Sequence, residues 1–339
     1  MQRVLAILLF FTLTGAARSP RFHSHEDAEK NYRSPAAKLA TGSVSAVGSA
    51  TLYNWPVKVL SIGHTIASYQ NYSGSASDAY FHHGLDIRAD AGSEVTALVG
   101  GKVVNIENYM SGDAYWEVAI LDDDGYLWQY HHVDSRSIPQ AVKTAFQNKT
   151  KIATGSKIGE VFYWSEVTFN ERYHHIHLDV LGARGKYLDP FAFLVPLADN
   201  SGPEIKEVFL MQNGKRVSGN KVTGKYTLAV EVSDLILHDK FIVPPSSIFY
   251  QVDGQWMPVV VWQFGSLPGG SSNTQYVNDF FVSGTCGNYS CRKIVVDLGF
   301  KKKAAQVFPT TSGQHQILVR VTDYAGNAAD KTFDWTVSN

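Results

Sequence analysis

The sequence predicts a mainly β chain built as two domains in tandem. Three observations predict it. Aromatic residues are abundant, with 17 Tyr, 18 Phe and 7 Trp in 339 residues, and such side chains suit the half-buried surface of a sheet. Apolar residues recur in short runs broken by Gly, Asp and Asn, and one stretch alone carries helical spacing. The length allows two ordinary cores, and Asp199-Asn200-Ser201-Gly202-Pro203 reads as the joint between them. A net charge of −1 gives no reason to expect nucleic acid, and no basic tract suggests an anionic membrane surface.

At the start, Arg3 precedes an apolar run from Val4 to Leu13 and then Thr14-Gly15-Ala16-Ala17. Charge, apolar stretch and small residues in that order read as a signal peptide over 1–17, so the product is expected to be exported, periplasmic or extracellular. The run is too short to span a bilayer. Residues 18–50 are polar and rich in small side chains, and read as a flexible linker or a pro-segment. Within them His23-Ser24-His25-Glu26-Asp27 has metal-binding side chains, but nothing holds their geometry, so a solvated linker is the expectation.

The first domain is expected over 51–198. Glu94 to Val99, Lys102 to Ile106, Trp116 to Leu121 and Tyr126 to Tyr130 read as strands, and Asp122-Asp123-Asp124-Gly125 as a hairpin turn. Ala141, Val142 and Phe146 predict a helix from Pro139 to Gln147. The second domain is expected over 199–339, with strands at Glu207 to Met211, Tyr226 to Val232, Ser247 to Val252, Ile294 to Asp297, Gln316 to Val321 and Lys331 to Val337. Many strands without a clear helix predict a β-sandwich. The turn Asp323-Tyr324-Ala325-Gly326-Asn327 before a last strand resembles extracellular immunoglobulin-like modules. Cys286 and Cys291 are the two cysteines. An exported compartment permits their disulfide, which would close a short loop and stabilise modestly. Two cysteines cannot form a structural zinc site.

Histidine concentrates in three segments, His82-His83-Gly84-Leu85-Asp86-Ile87, Tyr130-His131-His132-Val133 and His174-His175-Ile176-His177-Leu178-Asp179-Val180. In the third, Ile176, Leu178 and Val180 share one parity and His175, His177 and Asp179 the other. On a strand, residues two apart share a face, so two imidazoles and a carboxylate would line a cleft while the apolar set enters the core. A lone histidine there would ordinarily be a core or surface residue; two beside a carboxylate point to metal or catalytic chemistry. His82 and Asp86 are four apart, with Gly84 and Ile87 favouring an extended run. With one histidine of the third segment they make a three-ligand set that leaves a fourth position for water.

As a set these segments resemble the lysostaphin-type zinc metallopeptidases, whose signature is His-x-Gly-x-Asp before Ile or Val, then Tyr-x-His, then His-Leu-His with a following acid. Trp55-Pro56-Val57, Gly92-Ser93-Glu94-Val95-Thr96-Ala97 with Gly101-Lys102-Val103, Ile158-Gly159 and Leu188-Asp189-Pro190 extend the likeness over about residues 52–196. The resemblance implies an antiparallel β-sheet peptidase domain, one Zn2+ held by His82, Asp86 and His177, and a catalytic pair in His132 and His175, with His175 favoured as the base. It implies a metalloendopeptidase acting on the peptide cross-links of bacterial peptidoglycan. Asp179 would orient a histidine from behind. His83, His131 and His174 are expected to be ordinary core or surface residues. Val133 stands for the usual Leu, Asp179 for Glu and Tyr173-His174 for Gly-Pro, and Phe162 to Asn170 replaces a glycine-rich stretch, placing an aromatic loop beside the cleft. Two other readings remain: a non-catalytic wall- or protein-binding regulator of the same fold, and a protease acting on Gly-rich proteins.

Overall fold

The computed structural model describes residues 28, 30–43, 51–66, 68–71, 79–165, 167–168, 170–238, 240–255, 257–263, 265–267, 277, 280–282, 294–299 and 308–338. The expected signal peptide, the His23 to Asp27 run and the Cys286–Cys291 pair lie outside them.

The chain is mainly β. Its largest sheet has eight strands. Seven run side by side in the order Ser61–His64, Leu85–Arg88, His175–Gly182, Leu127–His131, Trp116–Leu121, Gly101–Asn108 and Lys151–Ile152, all antiparallel, and Lys186–Leu188 pairs the far end of His175–Gly182. The expected hairpin forms: Leu121 pairs Leu127. Asp122 makes the turn, because its two carboxylate oxygens accept the Tyr126 backbone N–H and the Trp128 indole N–H, each at 2.8 Å, while Gly125 takes a φ of 85° that only glycine adopts freely. The helix is Gln140–Asn148, buries Val142 and Ala145, and stops at Lys149, whose φ of 55° is left-handed.

Alternation builds the core beneath this sheet. Ile176, Leu178 and Val180 meet Leu85, Ile87, Val118, Ile120, Trp128 and Tyr130, all buried. Each such side chain contributes roughly 1.5–3 kcal/mol by leaving water, which is what fixes the register: a one-residue slip would turn the whole apolar set outward.

The second half holds two further sheets. One is ordered Lys215–Arg216, Glu204–Gln212, Thr227–Ser233 and Ile294–Asp297. The other is ordered Lys221–Thr223, Ala328–Ser338, Gly313–Thr322, Ser247–Val252 and Val259–Gln263. Both feed one core, with Val208, Leu210, Leu228 and Val230 from the first and Ile248, Tyr250, Ile317, Val319 and Trp335 from the second. The Asp323 turn forms as a closed loop: Asp323 Oδ1 accepts the Ala325 and Asn327 N–H groups at 2.9 and 2.8 Å.

Two segments cross between regions. Residues 234–243 join the Thr227–Ser233 and Ser247–Val252 strands, yet Ile236 and Val243 are buried in the core of the eight-stranded sheet. Residues 30–43 are also docked, which corrects the flexible-linker expectation for that stretch. Tyr32 stacks on Tyr109 at 4.2 Å, the Ser34 hydroxyl donates to Glu117 at 2.7 Å, and the Thr41 and Gly42 N–H groups both donate to the Gly125 carbonyl at 2.8 Å. Composition alone suggested solvent; a few well-placed partners are enough to order a polar segment.

Candidate metal centre

The antiparallel register lines up a row of polar residues across five strands. Glu117 pairs His131, His131 pairs His177, His177 pairs Asp86, and Asp86 pairs His64. Directly paired residues share a face, so the row lies on the side opposite the apolar core. His82 follows the short Tyr80–Phe81 strand and enters from one end. Gly84 lets the chain pass there, because any Cβ would collide with the Leu178 carbonyl and the Asp179 carboxylate.

His82, Asp86 and His177 meet, each offering one donor atom within 4.8 Å of the others. The His82 tautomer is readable from its hydrogen bonds. His82 Nδ1 lies 3.1 Å from the Thr65 carbonyl and 3.0 Å from the Gly84 carbonyl, so Nδ1 carries the proton. Nε2 is buried without a hydrogen-bond partner and points its lone pair at Asp86 Oδ1, 3.1 Å away. His177 Nδ1 lies 2.9 Å from the same oxygen and its Nε2 3.1 Å from Asp179 Oδ1, so both ring nitrogens face a carboxylate; a metal at Asp86 would take Nδ1 with the proton left on Nε2 towards Asp179. Donors about 2.0–2.1 Å from one ion in a tetrahedral array stand about 3.3 Å apart, close to what is seen.

Electrostatics agree. The exposure of Asp86 is 2% and of His177 6%. Burial pushes the Asp86 carboxyl up, but the His82 and His175 imidazoles and the His177 hydrogen bond pull it well below the usual carboxylate value. The Asp179 carboxyl is likewise pushed up by burial and drawn down further by His177 and His131. Each unpaired ion in such an interior would cost several kcal/mol, so this is a place for a cation.

His175 and His132 flank the trio. His175 Nδ1 donates to the Tyr173 carbonyl at 2.8 Å and Nε2 stands 3.8 Å from Asp86 Oδ1. His132 Nδ1 donates to the Ala114 carbonyl at 2.8 Å, and the two rings lie 4.7 Å apart. Each imidazole thus keeps its Nδ1 proton on a backbone carbonyl and turns Nε2 into the cleft. Strict alternation would send His131 and His132 to opposite faces. His132 instead takes a φ of 63°, a left-handed turn at the strand end, so both reach the same side.

His131 therefore corrects an expectation. It is no ordinary core residue: its Nε2 lies 3.3 Å from Asp179 and 3.8 Å from Glu117. Glu117 is in turn held by Ser34, Asn105 and Gln129 at 2.7, 2.8 and 2.8 Å. His131, His177 and Asp179 form a second trio of possible ligands. It shares His177 with the first trio and uses the other ring nitrogen, Nε2, which lies 3.1 Å from Asp179 Oδ1. The other neighbours have local work: His83 stacks on Tyr187 at 4.7 Å, and His174 Nδ1 accepts the Trp164 backbone N–H at 3.0 Å. Trp164 stacks on His175 at 5.6 Å and meets His132 edge-on at 5.1 Å, so the aromatic loop covers the histidine pair.

Two residues escaped sequence reasoning. His64, 5.5 Å from the His82 ring, sits in a short run that carries no motif. The Tyr173 hydroxyl donates to Asp86 Oδ2 at 2.9 Å; its one sequence signal was the departure from Gly-Pro at that place.

Residues 80–190 match the model of peptidase family M23, a span that contains His82, Asp86, His132, His175 and His177. That segment is an M23 peptidase domain. Solved structures similar to the chain include Csd3 of Helicobacter pylori, with a TM-score of 0.33 and 19% identity over 44% of this chain and 36% of that one. A zinc-containing peptidase from Vibrio cholerae gives 0.32 and 21% over 44% and 41%. Lysostaphin of Staphylococcus simulans gives 0.31 and 16% over 73% and 92%. Likenesses this distant carry no argument, and the chain spans well under half of the first two proteins. No curated protein sequence matches. The M23 segment rests on its own motif set and on the geometry around Asp86. No helix among the described residues is long and apolar enough to cross a membrane.

Proposed function

We propose that the chain is an exported zinc metalloendopeptidase that hydrolyses peptide cross-links of bacterial peptidoglycan. His82, Asp86 and His177 hold one catalytic zinc, and His175 and His132 are the catalytic pair. One observation carries this reading: the buried, partnerless His82 Nε2 and the His177 Nδ1 converge on a single oxygen of Asp86. Two imidazole nitrogens and one carboxylate oxygen suit zinc and leave a position open.

Zinc bound there would acidify a water and polarise the scissile carbonyl. His175, nearer the ligands, takes the proton of the attacking water on Nε2 and passes it to the departing amine. His132 faces it and, as an imidazolium with Nε2 also protonated, would hydrogen-bond the developing oxyanion. Asp179 keeps His177 in the tautomer that binds metal. Trp164 must swing aside before a peptide reaches either histidine.

The peptidoglycan substrate is inferred from the motif set and the family, and export from the opening Arg3 to Ala17 pattern. We place domain limits at 51–198 and 199–339 and read the second domain as an immunoglobulin-like sandwich. Purified wall sacculi supply the test. Soluble fragments should appear, stop with a chelator, and return on adding zinc; mass spectrometry of the fragments names the bond. A folded, zinc-loaded protein that releases nothing from sacculi but cleaves Gly-rich proteins would reassign the substrate.

A further inference from the structure

The two oxygens of Asp86 have different neighbours. Oδ1 is approached by His82 and His177 at 3.1 and 2.9 Å. Oδ2 accepts the Tyr173 hydroxyl at 2.9 Å. A carboxylate left to itself can give a metal one oxygen or two; a hydroxyl donating to the second occupies it. Tyr173 is buried, and Gly63 makes room for it, since a Cβ there would collide with the Tyr173 hydroxyl.

His175, at 4.5 Å between ring centroids, packs on one part of Tyr173, and a second contact comes from the far half of the chain. The Tyr173 ring meets that of Phe241 at 4.8 Å, near edge-on. Phe241 lies on the 234–243 loop, which is tied at its base by reciprocal Asp234 and Val243 backbone hydrogen bonds of 3.1 and 3.0 Å. The loop is held firmly enough to keep Leu237 at a φ of 58°, a conformation that costs a branched residue about 1–3 kcal/mol and persists only where packing imposes it. Arg88 lies over both rings, 5.7 Å from Tyr173 and 4.9 Å from Phe241. Arg88 also pairs with Glu171 at 3.2 Å, and Lys240 of the loop pairs with the same Glu171.

We propose that the 234–243 loop is a working part of the metal centre: Phe241 holds Tyr173, and Tyr173 holds Asp86 so that only Oδ1 faces the metal. The inference rests on the zinc reading above. It assigns the second half of the chain a task in the site. One carboxylate oxygen in place of two keeps the coordination number low and a position open for water. Tyr173 and Phe241 are positioning residues, since neither touches the reacting atoms.

The test is zinc affinity of the full-length chain, measured by competition with a chromophoric chelator, together with the visible spectrum of the cobalt-substituted protein. Tyr173→Phe should weaken zinc binding about 10–100-fold and dim the cobalt bands as the second oxygen enters. Phe241→Ala should move both readouts the same way, and Phe241→Leu, which refills the space, should restore part of the loss. Melting of the metal-free variants separates folding from positioning. If Phe241→Ala lowers melting but leaves affinity and spectrum as in the parent, the link to the second half is overturned. If Tyr173→Phe leaves both unchanged, the whole inference is overturned while zinc stands. If His82→Ala binds zinc as well as the parent does, the metal reading itself falls and takes this inference with it.

Discussion

The two large sheets of this chain alternate in the same way and use the second face oppositely. In the Gly313–Thr322 strand, Ile317, Val319 and Val321 enter the core while Arg320 faces water and pairs with Asp330 at 2.6 Å across the sheet. In the His175–Gly182 strand, Ile176, Leu178 and Val180 enter a core too, but His175, His177 and Asp179 on the other face are also buried. An exposed pair settles its charges in water. A buried polar row must settle them internally, through hydrogen bonds, fixed tautomers and a cation. The difference teaches where function sits: on the face where polar groups are kept from solvent at a cost.

The comparison predicts a graded series of effects. His177→Ala removes a proposed zinc ligand from the buried row, and hydrolysis should fall about 10³-fold or more, with bound zinc lost by elemental analysis. His132→Ala spares the proposed ligands, so kcat should drop about 10²–10³-fold while the zinc content stays at the parent level; parallel loss of zinc would break the proposed role. Asp179→Asn loosens His177 from behind and should weaken zinc binding about 10–100-fold, read by chelator competition.

pH sharpens the contrast further. Burial, with Asp323 nearby, pushes the Asp234 carboxyl up to about 8. A carboxyl that holds its proton more tightly folded than unfolded contributes stability below the ordinary carboxylate range, and that stability is lost as pH climbs to about 8. Urea midpoints should therefore decline over that window, and Asp234→Asn should flatten the decline; an unchanged slope would sink the assignment. In metal-free protein Asp86 and Asp179 act with the opposite sign: their depressed values stabilise above the ordinary range, and the gain is lost as acid protonates them. The smallest effect belongs to the exposed face, where Arg320→Ala should cost at most about 1 kcal/mol in urea unfolding.

How much of this was legible depended on distance along the chain. The Asp122 to Gly125 turn, the Gln140–Asn148 helix and the parity of His175, His177 and Asp179 are local patterns, each settled by neighbours within a few residues. The meeting of His82, Asp86 and His177 was legible because Gly84 and Asp86 lie close to His82 in the chain, and because Asp86 and His177 both sit on strands whose facing is set by alternation. Parity places His131 and His132 on opposite faces, yet both reach the same side, because the left-handed step at His132 depends on how the strand ends against the rest of the sheet.

The sequence by itself determined most of the longer strands, which face of each is apolar and which side chains could bind metal, since all of these follow from periodicity and side-chain chemistry. Only the tertiary structure decided the partners. Register across five strands set Glu117, His131, His177, Asp86 and His64 in one row. Docking laid Ser34 on Glu117, and a loop from the far half set Phe241 against Tyr173. Those contacts join residues tens of positions apart, and the free energy that selects them is shared burial and charge compensation, which no local window of sequence contains.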